Sequence, residues 1–114
     1  MHVPTLAIFV SDEAFSVALD KTSEEVDCET FQNTSAGVEE LLAWLNGTLH
    51  QDEAIDWIAT VPQGEGGPIF TWLYEEVPDL FLQNPTSLKN FAERTNLPWN
   101  EARTLLMFHR SKVW

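Results

Sequence analysis

The chain has few basic residues, one cysteine and no long apolar run, and each shortage excludes a class of protein. Because Cys28 is the only cysteine, no disulfide can form within the chain. No apolar stretch approaches the roughly 20 residues that a membrane-spanning helix needs. Met1 to Pro4 lack a basic region followed by an apolar segment, so we expect no signal peptide. These absences predict a protein without a membrane anchor, in the reducing cytoplasm.

Basic residues are scarce enough to give a net charge of −12. Before residue 89 there are sixteen acidic residues and a single base, Lys21, whereas residues 89–114 hold five bases against Glu93 and Glu101. Nucleic-acid binding depends on Lys and Arg beside phosphates, so we expect most of this chain to repel nucleic acid. The acids are interpreted as solvated surface. The alternative is an acidic mimic of DNA that inhibits a nucleic-acid-binding protein.

The length of 114 residues and the 44% hydrophobic content predict one domain over residues 1–114. Apolar runs bounded by turn residues predict strands at 5–10, 14–19, 29–32, 54–61 and 79–83. Helices are predicted after the capping residues Asn33 and Thr34, from Pro68, after the cap Asn84, and over about 100–112. The first helix has an apolar face of Val38, Leu41, Leu42, Leu45 and Leu49, and the third has Leu88, Phe91, Ala92 and Thr95 on one side.

Residues 31–45, FQNTSAGVEELLAWL, resemble the Phe-x-Asn-Thr-x-Ala-Gly-x-x-x-Leu-x-x-Trp-Leu run of Piv/MooV-type insertion-sequence transposases. Residues 82–92, LQNPTSLKNFA, are similar to that family's Val-Asn-Pro-x-x-Val-Lys-x-Phe-Ala, and residues 101–106, EARTLL, to its Asp-Ala-Arg-x-Leu-Leu. The resemblance implies the family's N-terminal RuvC-like domain. That domain has an α/β ribonuclease-H-like fold, with a mixed five-stranded sheet and three to four helices, and the predicted order of elements agrees with it.

The resemblance also implies four acidic ligands that hold two divalent metal ions for phosphodiester chemistry. Residues 7–12, AIFVSD, are similar to the family's Gly-Ile-Asp-Val-Ser-Lys, which places the first ligand on Phe9. The family glutamate falls on Ile58, and only Glu101 keeps a carboxylate. Phe9, Ile58 and Glu101 are therefore interpreted as vestigial positions, with apolar side chains filling the ligand cavity. We expect no catalysis, no metal and no other cofactor.

A different alignment of the acids keeps a metal site open. Asp12, Glu65 and Glu101 would then be the ligands of a divergent metal-dependent nuclease. Members of the family continue into a C-terminal domain that supplies a serine nucleophile, so strand transfer by this chain alone is not expected.

Other motifs give weaker signals. His2, His50 and His109 share no metal-ligand spacing with one another or with Cys28, so no zinc site is predicted. The glycines at 64, 66 and 67 favour a tight turn over an anion site, since no P-loop lysine follows them.

Tryptophan is the last unusual feature, with five residues in the chain. Trp44 and Trp72 lie on predicted helices and are expected to be partly buried. Trp99 and Trp114 flank the last helix, where they could anchor a protein interface or fold back on their own domain. The sequence thus predicts a non-catalytic protein-interaction or regulatory module that forms a homodimer or binds a protein partner.

Overall fold

The computed structural model of the protein describes residues 3–21, 25–49, 54–61 and 67–111. Within these ranges the chain is an α/β fold with a mixed five-stranded sheet and four helices, as predicted. The elements in chain order are β1 (Thr5–Val10), β2 (Ala14–Asp20), β3 (Val26–Gln32), α1 (Ser35–Thr48), β4 (Asp56–Thr60), α2 (Gly67–Glu76), β5 (Phe81–Leu82), α3 (Pro85–Thr95) and α4 (Ala102–Ser111). No helix in these ranges is long and apolar enough to cross a membrane.

The strands lie in the order β3-β2-β1-β4-β5. Strand β2 is antiparallel to both β1 and β3, whereas β4 runs parallel to β1 and to β5. All six residues of β1 are buried because the strand is central and helices cover both faces of the sheet. This burial explains the uninterrupted apolar run from Leu6 to Val10.

The two faces of the sheet carry separate hydrophobic clusters. Leu6, Ile8 and Val10 of β1 point to the face covered by α1 and α2, where Leu41, Ile69 and Leu73 complete the core. Ala7 and Phe9 point to the opposite face, where residues of α3 and α4 cover them, namely Leu88, Ala102, Leu105, Leu106 and Phe108. The alternation of side chains along β1 therefore assigns Phe9 to the α3 and α4 layer.

The predicted helix caps are confirmed, with one correction. The Thr34 hydroxyl accepts a hydrogen bond from the backbone N–H of Gly37 at 3.0 Å and caps α1. Asn84 Oδ1 accepts from the backbone N–H of Thr86 at 2.8 Å, with Pro85 as the first residue of α3. Asn33, which was also predicted to cap α1, instead makes long-range hydrogen bonds that are described below.

Several element bounds differ from the prediction. Strand β3 begins at Val26, three residues early, because an edge strand needs pairing on one side only and tolerates exposed acids. Strand β5 has only two residues. Thr95, which was predicted on the apolar side of the third helix, is exposed at the end of α3, and its hydroxyl donates to the carbonyl of Phe91 at 2.7 Å. Trp44 and Trp72 are half-buried, as expected.

An ion pair attaches the last turn of α4 to the sheet. Asp20 is 1% exposed, its Oδ1 accepts from the backbone N–H of Thr5 at 2.6 Å, and its Oδ2 lies 3.3 Å from Nη1 of Arg110. A buried carboxylate is costly unless such partners compensate its charge. This contact fixes α4 across β1 and β2 and so positions the start of α4 at the opposite end of the sheet.

Candidate functional site

The candidate site lies where β1 and β4 end, on the face covered by α4. Ala7 of β1 is the parallel partner of Ile58, and Phe9 is the partner of Thr60. Phe9 and Ile58 are therefore diagonal neighbours on the same face of adjacent strands. The two positions that the resemblance assigns to metal ligands are thus close together in this fold.

Both positions are occupied by buried apolar side chains. Phe9 is 7% exposed and Ile58 is 1% exposed, and both belong to the cluster under α4. Neither side chain carries an oxygen that could bind a divalent ion. The two-metal ligand set implied by the resemblance therefore does not fit the residues present, and burying each side chain contributes about 1.5 to 3 kcal/mol to folding instead.

Trp99 closes this site from the loop that precedes α4. Its ring meets Phe9 edge to face, with centroids 5.7 Å apart and an interplanar angle of 68°. Nζ of Lys89 lies 4.2 Å from the centroid of the Trp99 ring, a distance at which a cation and an aromatic ring attract each other. Trp99 is half-buried, so part of it packs on its own domain and part of it faces solvent.

An open trough runs beside Phe9 and Trp99, across β2 and β3. It consists of two adjoining clefts of about 350 and 470 Å³ that share Ser16, Thr30 and Asn100. The first cleft reaches Asp12 and Trp99, and the second reaches Cys28 and Arg103. The residues shared by the two clefts are thus polar and uncharged. One end of the trough has a carboxylate and an indole, and the other end has a thiol and a guanidinium group.

The carboxylates of the alternative metal site are not brought together. Asp12 is exposed in the turn between β1 and β2 and lines the first cleft, whereas Glu101 is exposed before α4 and lines the second. Glu65 lies outside the residues that the structure describes. Across the described ranges, no group of three or more His, Cys, Asp or Glu side chains could hold a metal ion. The backbone carbonyl of Glu101 has a structural role, since it accepts from the N–H of Leu105 at 3.2 Å.

Cys28 is the one thiol at the trough. Desolvation by the neighbouring sheet and helix raises its pKa above the usual value, the Arg103 charge lowers it, and Asp27 and Glu101 raise it again. Cys28 is an exposed residue, but its thiol stays protonated at neutral pH because its pKa is raised. A protonated thiol is a poor nucleophile. The Lys21 ammonium lies 3.0 Å from Asp27, and hydrogen bonding to that carboxylate raises the pKa of Lys21.

The remaining predicted motifs are outside this site or outside the described residues. His109 lies on α4 with its ring centroid 5.6 Å from that of Phe81, at the edge of the sheet. His2, His50, Trp114 and the glycines at 64 and 66 lie in the parts of the chain that the structure does not describe.

Two residues of the FQNTSAG stretch have roles that sequence reasoning missed. Asn33 is 7% exposed, its Nδ2 donates to the carbonyl of Ser11 at 2.9 Å, and its Oδ1 accepts from the N–H of Ile69 at 3.1 Å. Gly37 lies so close to the backbone of Gln32 that a Cβ would overlap the Gln32 carbonyl oxygen. The stretch therefore joins β1, β3, α1 and α2. The only signal in the sequence was an Asn directly before the capping residue Thr34.

In comparisons with known proteins, no family model matches the chain and no curated protein is significantly similar to it.

Proposed function

We propose that this chain is a ribonuclease-H-like domain, related to the RuvC-like domain of Piv/MooV-type transposases, that acts as a non-catalytic protein-interaction or regulatory module. The strand order β3-β2-β1-β4-β5, with β2 alone running against the others, supports this fold assignment. In such a domain the metal ligands would lie at the ends of β1 and β4.

The observation that carries the proposal is the burial of Phe9 and Ile58 as diagonal neighbours at those two strand ends. Acidic residues clustered there would repel one another unless metal were bound, whereas apolar residues stabilise the fold without it. The pairing of Phe9 with Trp99 adds to this stabilisation. A protein that keeps the fold but fills the metal site with apolar side chains would act by binding other proteins through its surface.

The partner would be a second copy of the chain, a full-length transposase or another component of nucleic-acid machinery. Direct nucleic-acid binding is not proposed, because the net charge of −12 opposes it. The half-exposed Trp99 is a candidate contact for such a partner. A reducing cytoplasm would keep Cys28 as a thiol.

Titration with Mn²⁺ and Mg²⁺, followed by calorimetry and by thermal melting, tests the loss of metal chemistry. We expect calorimetry to detect no heat of specific metal binding, and 1 mM metal to leave the melting temperature unchanged. Specific binding below 1 mM would instead stabilise the fold, by about 2.7 kcal/mol at 100 times the dissociation constant. That result would support the alternative, a divergent nuclease that uses Asp12, Glu65 and Glu101.

Light scattering on the purified protein tests the interaction role. A dimer mass, or a complex with a partner recovered from lysate and reconstituted from purified components, would support it. A strict monomer with no reconstituted complex would contradict it.

A further inference from the structure

The helices on the two faces of the sheet carry opposite charge. Helices α1 and α2 contain four glutamates and no Lys or Arg. Helices α3 and α4 contain the bases Lys89, Arg94, Arg103 and Arg110 with Glu93 as their only acid. The uneven distribution of charge along the sequence thus gives the two helical layers opposite net charge. The negative α1 and α2 layer attracts cations.

A groove of about 350 Å³ separates α1 from α2 in this acidic layer. Its apolar lining is supplied by Val38 and Leu42 of α1 and by Pro68 and Trp72 of α2. Leu42 and Trp72 are only half-buried, so the groove presents apolar surface to solvent. The indole of Trp72 packs against that of Trp57 on β4, with ring centroids 5.9 Å apart.

Carboxylates border the apolar lining. Glu39 lines the groove itself, and Glu75 and Glu76 follow Trp72 by three and four residues, which places them one helical turn further along α2 on the same side. Glu39, Glu75 and Glu76 are exposed, and within the described ranges none of them forms an ion pair with Lys or Arg. Their charges are therefore available to a ligand.

We infer that this α1–α2 groove binds a basic, amphipathic segment of a partner protein. An apolar side chain of the segment would lie between Leu42 and Trp72, and its Lys or Arg side chains would contact Glu39 and Glu76. Apolar contact supplies affinity and the carboxylates supply attraction and orientation. This inference rests on the proposed interaction role and names the surface and chemistry of the partner.

The test uses a fluorescein-labelled amphipathic peptide of Leu and Lys, with binding followed by fluorescence anisotropy. The groove variant carries Glu39→Gln and Glu76→Gln. The control carries Glu13→Gln and Glu93→Gln, two exposed acids outside the groove, so both variants have the same net charge. Neutralising Glu76 does not threaten α2, because a carboxylate in the last turn opposes the helix dipole.

We expect the groove variant to lose about tenfold in affinity and the control to lose less than about twofold, since only the first removes contacting carboxylates. A second peptide with Ala in place of Leu keeps the charge and should bind at least tenfold more weakly. Equal losses in both variants, or equal affinity for both peptides, would overturn the inference in favour of diffuse attraction to an acidic protein. Absence of binding would also overturn it.

Light scattering of the same variants separates this partner from a second copy of the chain. If the wild type self-associates and the groove variant does not, the groove is a contact with a second copy of the chain, and the inference is overturned. The metal titration is independent of these results, so failure here is distinguishable from failure of the proposed function.

Discussion

Oδ1 of Asn33 accepts a hydrogen bond from the backbone N–H of Ile69 at 3.1 Å and so connects the end of β3 to the first turn of α2. The same side chain donates from Nδ2 to the carbonyl of Ser11 at the end of β1. One buried amide therefore holds three elements at the end of the sheet where the candidate site lies. This arrangement predicts that Asn33 is a main determinant of stability in the described part of the chain.

Asn33→Ala should lower the free energy of unfolding by about 3 kcal/mol, because it leaves the buried N–H of Ile69 without a partner and removes the part-buried hydrogen bond to the Ser11 carbonyl. Asn46→Ala is the control, since Asn46 is exposed on α1 and its replacement should change stability by less than about 0.5 kcal/mol. Urea unfolding of both variants measures the difference. A loss for Asn33→Ala no larger than that of the control would mean that the two hydrogen bonds are unimportant.

Replacement by alanine should have opposite effects on stability at the two glycines of α1, Gly37 and Gly47. Gly37→Ala should destabilise the protein by about 3 kcal/mol, because the added Cβ overlaps the Gln32 carbonyl oxygen and forces α1 away from β3. Gly47→Ala should stabilise it by about 0.5 to 1 kcal/mol, because no atom lies within 4 Å of the new Cβ and Ala favours the helix. Thermal melting compares the two, and a stabilising Gly37→Ala would show that the helix can shift without cost.

Local chemistry explains which parts of this fold could be predicted from the sequence. The caps Thr34 and Asn84 bond to N–H groups two or three residues away, so their patterns are visible in a short window. The partners of Asn33 are 22 and 36 residues away, and no such window contains them. The packing of Trp99 on Phe9 likewise depends on how α4 crosses the sheet. The buried run of β1 predicted that Phe9 is internal but not what covers it.

The thiol of Cys28 should react slowly with iodoacetamide at pH 7 to 8, because desolvation raises its pKa and keeps it protonated. Arg103→Ala should shift the pH profile of the reaction upward, and Glu101→Gln should shift it downward, since those charges act in opposite directions. The folded protein retains the thiol proton to higher pH than the unfolded chain. Any contribution of Cys28 to stability is therefore fully present below the unfolded pKa and is lost as pH rises from that value through the higher folded pKa. Alkylation rates between pH 7 and 10 provide the measurement.

Placing carboxylates at positions 9 and 58 tests the alignment on which the proposed function rests. Phe9→Asp with Ile58→Glu should destabilise the protein by several kcal/mol, because each change buries an unpaired charge. If these positions are former metal ligands, the two carboxylates lie diagonally across adjacent strands near the end of the sheet, and 1 mM Mn²⁺ should recover part of the lost melting temperature. The control is Val10→Asp with Ala59→Glu, which places the same groups in the same diagonal relation on the opposite face of the same strands. Mn²⁺ should not rescue that control. Equal behaviour of the two double variants in melting curves with and without Mn²⁺ would count against a vestigial metal site, and the single variant Phe9→Asp provides a second measurement if the double variant does not fold.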